Sequence, residues 1–147
     1  MQDQCTYSNY QEVYTEHLHL DVFVNFDSKI VEGVCTLKMK SLVDGLKVVF
    51  LDSWDLSIKG VKSNDKKDLT FALEDPSNMA EEIGHSLKID LQEEIKKDKV
   101  FEIHVAYETT DKSTALNFLS KEQTLQKEHP YLFSQSEMIH ARAWIPC

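Results

Sequence analysis

Histidine is the residue type in this chain best suited to bind a metal or to transfer protons at neutral pH. The six histidines are His17, His19, His85, His104, His129 and His140. A helical zinc site of the peptidase type needs two histidines one helical turn apart, with an adjacent glutamate as base. No histidine here is followed by Glu or has a second histidine four residues later. The sequence therefore predicts no catalytic group and no bound metal within this chain.

Two of these histidines alternate with leucines on a predicted strand, which places His17 and His19 on the same side. They could share a metal, but the absence of a third ligand favours solvent-facing strand residues. Near the end of the chain, His140 by itself would suggest acid-base chemistry.

The cysteines, Cys5, Cys35 and Cys147, are odd in number and widely separated, which predicts reduced thiols and no disulfide framework. Cys147 follows a proline and has no base beside it, so a nucleophilic role is disfavoured. The first residues resemble no signal peptide, and no apolar run approaches the length of a membrane span. Together these features predict a cytoplasmic protein.

Acidic residues outnumber basic ones by 25 to 16, which gives a formal net charge of −9. A surface of this sign repels phosphate backbones and anionic lipid head groups, so neither nucleic acid nor a membrane is expected as a partner. The composition, 41% hydrophobic and 28% charged, is typical of a globular protein with a core. The acidity is best explained as a means of keeping such a protein soluble.

Alternation of apolar and polar residues predicts strands along most of the chain. A long hairpin is expected first, from residues 16–26 and 30–42 around a turn at 27–29. Further strands are predicted at 46–51, 54–61, 69–73, 85–91 and 100–107. The segment 75–78 should break the fifth strand, and the charged stretch 92–98 should be a loop. Helical periodicity is never sustained, and residues 120–128 are expected to form a loop or a short helix.

Short strands at hairpin spacing, without intervening helices, predict an all-β fold that is mainly antiparallel, either a β-sandwich or a curled sheet. The length suits a single domain covering residues 1–147. Residues 131–147 are rich in aromatic side chains, with Tyr131, Phe133 and Trp144 expected to be core or interface anchors. We expect this segment to lead into a further domain against which it packs.

The end of the chain also carries a specific signature. It consists of Glu128-His129-Pro130-Tyr131-Leu132-Phe133-Ser134-Gln135, Ile139-His140-Ala141-Arg142 and Ile145-Pro146-Cys147. It continues upstream through Tyr107-Glu108-Thr109-Thr110, Lys112-Ser113, Ala115-Leu116 and Glu122-Gln123-Thr124, and more weakly to His17-Leu18-His19-Leu20. These segments resemble the first domain of the leukotriene A4 hydrolase family of M1-type zinc aminopeptidases.

This resemblance implies a saddle-shaped β domain that precedes a second domain carrying zinc and the general base. It also implies a parent enzyme that removes amino-terminal residues from peptides, with an epoxide hydrolase activity in the vertebrate-like branch. The family's Gly-x-Met-Glu-Asn segment is absent here, as is the zinc motif. The chain is therefore expected to be inactive alone.

The resemblance further implies that Gln135 and Glu137 reach into the active-site cleft of the parent enzyme. A carboxylate there can bind the protonated α-amine of a peptide by a charge-assisted hydrogen bond. Leukotriene A4 hydrolase has Gln at the Glu137 position, whereas several other aminopeptidases of the family have Glu, which favours peptidase activity over epoxide hydrolysis. The competing interpretation is that both residues only line a domain interface. For His140 the family context implies a structural hydrogen bond or a position at the edge of a cleft, and not acid-base chemistry. Arg142, near the cleft segment, could contact a carboxylate or the other domain bidentately, or form a surface ion pair.

Two functional hypotheses follow. The first is a non-catalytic substrate-recognition domain that needs a downstream zinc domain for activity. The second is a stand-alone β-sandwich module that binds a protein through its acidic surface or an exposed edge strand. An independent hydrolase built from His140 and Cys147 is disfavoured, because nothing orients a base on the thiol.

Overall fold

The computed structural model describes residues 3–75 and 83–147. In these ranges the chain forms β1 (Val13–Asn25), β2 (Ile30–Ser41), β3 (Leu46–Ser53), β4 (Ser57–Ser63), β5 (Thr70–Glu74), β6 (His85–Ile95), β7 (Val100–Glu108), β8 (Leu116–Leu119) and β9 (Tyr131–Ser134). Two short 3-10 helices cover Lys121–Gln123 and His140–Ala143. None of the helices in the described ranges has the length and apolar character that a membrane crossing requires. The predicted all-β fold is confirmed.

The strands of the described residues form three antiparallel sheets. Sheet order is β1-β2-β7-β4 in the first, β3-β6-β5 in the second and β8-β9 in the third. Period-two alternation directs one face of each of the two larger sheets into a shared core. The innermost side chains of this core are Cys35, Leu37, Val49, Leu51, Leu87, Ile89, Ile103, Val105 and Tyr107. This arrangement is the mainly antiparallel, sandwich-like packing that the alternation predicts.

The first hairpin agrees best with the sequence pattern. The residues on one face, Leu18, Leu20, Val22 and Val24, are partly buried. His17 and His19 are exposed on the other face, as predicted. Strand β1 begins earlier than expected, and a register irregularity between Thr15 and His17 shifts its pairing with β2.

Two predicted boundaries were wrong. The strand expected at 54–61 starts at Ser57, because Asp55 has a positive φ of 52° and ends the extended conformation after Trp54. The stretch 92–98 was expected to be a loop, yet β6 continues to Ile95, which pairs with Leu46. Charged side chains are tolerated there because residues 92–94 are exposed on both faces of the strand, so they keep their contact with solvent. Of the predicted break at 75–78, positions 76–78 lie outside the described residues.

The strands β8 and β9 follow the strands of the two larger sheets in the sequence and pair with each other. Its outer strand, Tyr131–Ser134, was not predicted as a strand, and it pairs with β8 from Leu116↔Ser134 to Leu119↔Tyr131. The rings of Phe118 and Phe26 meet edge to face with centroids 5.8 Å apart. This contact attaches the small sheet to the tip of the first hairpin, and so places the chain that follows β9.

Candidate functional site

The residues from Gln135 to Ile139, here called the 135–139 loop, connect β9 to the second 3-10 helix. Gln135 and Glu137 are both exposed in it. The Gln135 backbone N–H donates to the carbonyl of Ala115 at 2.8 Å, which continues the pairing of β9 with β8 by one step. Its side-chain Oε1 accepts the backbone N–H of Glu137 at 3.1 Å. The two predicted site residues are therefore joined directly, and Gln135 fixes the start of the loop.

Ser136 is the second anchor of the loop. Its carbonyl accepts the His140 backbone N–H at 2.9 Å, and its Oγ accepts the indole N–H of Trp144 at 3.1 Å. The His140 ring stacks on Trp54, with centroids 5.5 Å apart, and its Nδ1 lies 2.8 Å from the Thr114 hydroxyl. These contacts confirm the structural hydrogen bond expected for His140.

Arg142 is the third anchor, and it lies inside the protein. Its Nε donates to the Ile139 carbonyl at 2.9 Å, which fixes the end of the loop. Its Nη1 donates to the Ile83 carbonyl at 2.9 Å, and its Nη2 donates to the Cys5 carbonyl at 2.7 Å. Nε, Nη1 and Nη2 each donate to a different backbone carbonyl. Among the side chains, only the guanidinium of arginine offers donors in this diverging geometry.

The charge of this buried arginine is balanced by Asp52 at the end of β3. Arg142 Nη2 and Asp52 Oδ2 are 3.2 Å apart, and the side chains are only 6% and 7% exposed. Asp52 also accepts the Thr6 hydroxyl at 2.6 Å and the Tyr7 backbone N–H at 2.8 Å. Of the alternatives left open for Arg142, the structure shows contact with a carboxylate, and the pair is buried and not on the surface.

The Glu137 carboxylate differs from every other part of the loop. It makes no hydrogen bond or ion pair with any residue in 3–75 or 83–147, although its own backbone is held. Met138 beside it is 87% exposed, and the nearby β9 side chains Tyr131 and Phe133 are 56% and 43% exposed. These two rings pair at 6.4 Å. They were expected to be core or interface anchors, and in this chain both are exposed.

An exposed, unpaired carboxylate of this kind can bind a cationic group. Among the described residues no three His, Cys, Asp or Glu side chains lie together as metal ligands. A zinc ion does not fit this part of the chain, and the expectation that it binds none stays a prediction. Although Cys147 is exposed as a residue, desolvation of its thiol and the Asp52 carboxylate raise its pKa to about 11. A neutral thiol at pH 7 is a poor nucleophile.

Sequence reasoning did not find the residues that support the loop, namely Asp52, Trp54 and Thr114. One signal was present for Asp52. It directly follows the apolar run 46–51, and a carboxylate that continues a buried strand needs a partner of opposite charge. That signal does not identify the partner, since the chain has 16 lysine and arginine side chains.

Comparison with known proteins places this geometry in a family. The family model described as the peptidase M1 N-terminal domain matches residues 8–147. Leucine aminopeptidase 2 of Coccidioides immitis is 38% identical over 100% of this chain and 23% of its own length. Leukotriene A-4 hydrolase of Xenopus laevis is 37% identical over 100% of this chain and 24% of its own length.

Solved structures give the same result. Yeast leukotriene A4 hydrolase in complex with bestatin superimposes with a TM-score of 0.87 at 33% identity, covering 100% of this chain and 22% of that one. An M1 zinc metallopeptidase from Deinococcus radiodurans has a TM-score of 0.64 at 14% identity, covers 93% of this chain and 29% of that one, and supports the fold alone. The chain thus spans less than a quarter of the curated relatives it matches.

Proposed function

Because this chain belongs to the peptidase M1 N-terminal domain family, we propose that it is the amino-terminal substrate-recognition domain of a zinc aminopeptidase. Its role would be to present a carboxylate to the free amino terminus of a peptide. Zinc and the general base would be supplied by chain beyond these residues. The fraction of each relative that this chain matches, 23% and 24%, supports a domain of a larger enzyme.

The observation that carries the proposal is the state of Glu137. Its carboxylate is exposed and unpaired within the described residues, while Gln135 holds its backbone N–H. A peptide α-amine has a pKa near 8 and is mostly protonated at neutral pH. A charge-assisted hydrogen bond to a held carboxylate is stronger than one between neutral groups. Glu137 would therefore select substrates with a free amino terminus.

Exposed apolar side chains in the segment that contains Glu137 supply the second argument. Met138 directly follows Glu137 and is 87% exposed, and Tyr131 and Phe133 on β9 are 56% and 43% exposed. Apolar surface of this kind marks a site of contact. We propose that residues 131–147 lead from the single β domain into the catalytic domain, and that these side chains meet it and the bound peptide.

Peptide hydrolysis is the proposed reaction, with epoxide hydrolysis at most a side activity, since Glu137 suits an ammonium group and not a lipid epoxide. The chain alone is proposed to be inactive and free of zinc. Three free thiols, at Cys5, Cys35 and Cys147, suit a reducing compartment, which supports a cytoplasmic location.

The experiment compares the 147-residue chain with the same reading frame extended downstream. Zinc content and hydrolysis of a chromogenic aminoacyl substrate are measured for both. Only the extended protein should bind zinc and hydrolyse, and Glu137→Ala should lower its kcat/KM by about tenfold or more. Glu128→Ala, which removes another exposed carboxylate of the same segment, should leave kcat/KM unchanged. Hydrolysis by the short chain would contradict the proposal.

A stand-alone protein-binding module is the second candidate, and strand β1 is the observation that favours it. β1 is a 13-residue edge strand of its sheet, and Phe23 on it is 63% exposed. Such an edge can accept a strand from a partner. This candidate becomes the better one if the extended frame neither binds zinc nor hydrolyses while the short chain stays a soluble monomer that captures a partner through β1.

A further inference from the structure

We propose that Arg142, through its pairing with Asp52, is a positioning residue that sets the orientation of Glu137 for the amine of the substrate. This inference rests on the proposed function. It adds a buried determinant of substrate affinity that does not itself touch substrate.

The connection from Arg142 to Glu137 is short. Arg142 Nε holds the Ile139 carbonyl at 2.9 Å, and Ile139 ends the loop in which Glu137 lies. The start of that loop is held by the Gln135 amide oxygen on the Glu137 N–H at 3.1 Å. With both ends fixed, the carboxylate at position 137 projects from a defined backbone. Releasing Ile139 leaves only the upstream half of this support and the two hydrogen bonds of Ser136.

Arg142 can hold this position because it is itself fixed from three other directions. It donates to the carbonyls of Cys5 and Ile83 and pairs with Asp52. These acceptors belong to the amino-terminal segment, to Ile83 two residues before β6, and to β3. Through Arg142, these contacts fix the position of the 135–139 loop relative to the main part of the domain. The orientation of the loop therefore does not depend on the small sheet β8-β9 alone.

Arginine and lysine differ at this site in a way that separates positioning from folding. Lysine keeps the charge opposite Asp52, but its single ammonium cannot also reach the diverging acceptors that Nε, Nη1 and Nη2 contact. Arg142→Lys should therefore preserve most of the core while releasing Ile139. If Arg142 had a purely structural role, the loop and the core would lose hydrogen-exchange protection to the same extent.

The first test is amide hydrogen exchange of the 147-residue chain. In Arg142→Lys, protection of the His140 and Glu137 amides should fall about tenfold relative to the amides of β2 and β7. Ile103→Ala, a core substitution remote from the loop, should lower protection throughout without singling out the loop. An equal fall at loop and core in Arg142→Lys would overturn the proposal, as would an unchanged loop.

The second test is kinetic and uses the protein extended downstream. Arg142→Lys should raise the KM of an aminoacyl substrate about tenfold with kcat changed less than about threefold, whereas Ile103→Ala should leave both unchanged after correction for folded fraction. An unchanged KM with a lost loop protection would overturn the positioning role. Glu137→Ala is assayed in parallel. If it has no effect, the proposed amine recognition fails, and the exchange result still decides whether Arg142 orders the loop.

Discussion

The buried pair of Asp52 and Arg142 leads to a prediction about stability that contradicts a simple ranking by distance. The pair is 3.2 Å apart with side chains 6% and 7% exposed. Lys47 and Glu94 are closer, at 2.7 Å, but their side chains are 65% and 60% exposed. Burial removes the solvent that would otherwise compensate a lost partner, so the longer pair should matter more.

The magnitude follows from what Asp52→Asn leaves behind. The substitution keeps the size of the side chain but removes the charge opposite Arg142 and weakens the acceptors for Thr6 and Tyr7. Removing one partner of a buried pair costs roughly 3–5 kcal/mol of unfolding free energy. The carbonyls of Cys5, Ile83 and Ile139 still hold the guanidinium, which favours the lower end of this range.

The assay is urea unfolding of Asp52→Asn, Arg142→Met and the double variant, with Lys47→Met as control. Asp52→Asn should destabilise by about 3 kcal/mol, and the double variant should be more stable than the sum of the single effects predicts, by about 1 kcal/mol or more. Lys47→Met should change little, because solvent and salt screen an exposed pair. Equal effects of Asp52→Asn and Lys47→Met, or strict additivity in the cycle, would refute the reasoning.

Three further predictions concern the core and the metal. Gly33→Ala should reduce folded yield or melting temperature strongly, because the added Cβ would overlap the Asp21 carbonyl and lie 2.7 Å from Val22 Cα on the paired strand; circular dichroism melting would show this, and an unchanged melting temperature would contradict it. Desolvation, with a smaller effect of Cys147, raises the pKa of Cys35 from 9.0 to about 12. Between about pH 9 and pH 12 the unfolded thiol loses its proton while the folded thiol keeps it, so stability should fall with rising pH by up to about 1.4 kcal/mol per unit. Cys35→Ala should flatten that slope in urea titrations, and an unaltered slope would count against the assignment. Finally, the 147-residue chain should retain no zinc after dialysis, as measured by atomic absorption, whereas a stoichiometric ion would show a metal site that the described residues do not reveal.

The sequence predicts the strands whose patterns are local. In the first hairpin, alternation from Leu18 to Val24 is enough, because one face is partly buried over this part of the strand. The strand Tyr131–Ser134 has no such signal. It is short, its Tyr131 and Phe133 face solvent, and it exists because it pairs with β8 across a long loop. The local sequence pattern cannot predict pairing between strands that are this far apart in the sequence.

Some residues of the candidate site could be predicted from the sequence, whereas their supporting contacts could not. Gln135 and Glu137 were predicted from the resemblance of their flanking residues to a family, not from chemistry visible in the sequence. Their functional role stays a prediction. The partner of Arg142 could not be identified from the sequence, because contact with Asp52 depends on how β3 meets the end of the chain.

The central claim, that Glu137 recognises a free amino terminus, is tested most directly by a cycle that changes the carboxylate and the amine separately. The protein extended downstream is assayed with a competitive peptide-like inhibitor and with its analogue lacking the α-amine, in the wild type, Glu137→Ala and the Glu128→Ala control. In the wild type and the control, the amine should improve the inhibition constant by about tenfold or more. In Glu137→Ala that advantage should largely vanish. An amine advantage of the same size in Glu137→Ala would contradict the account.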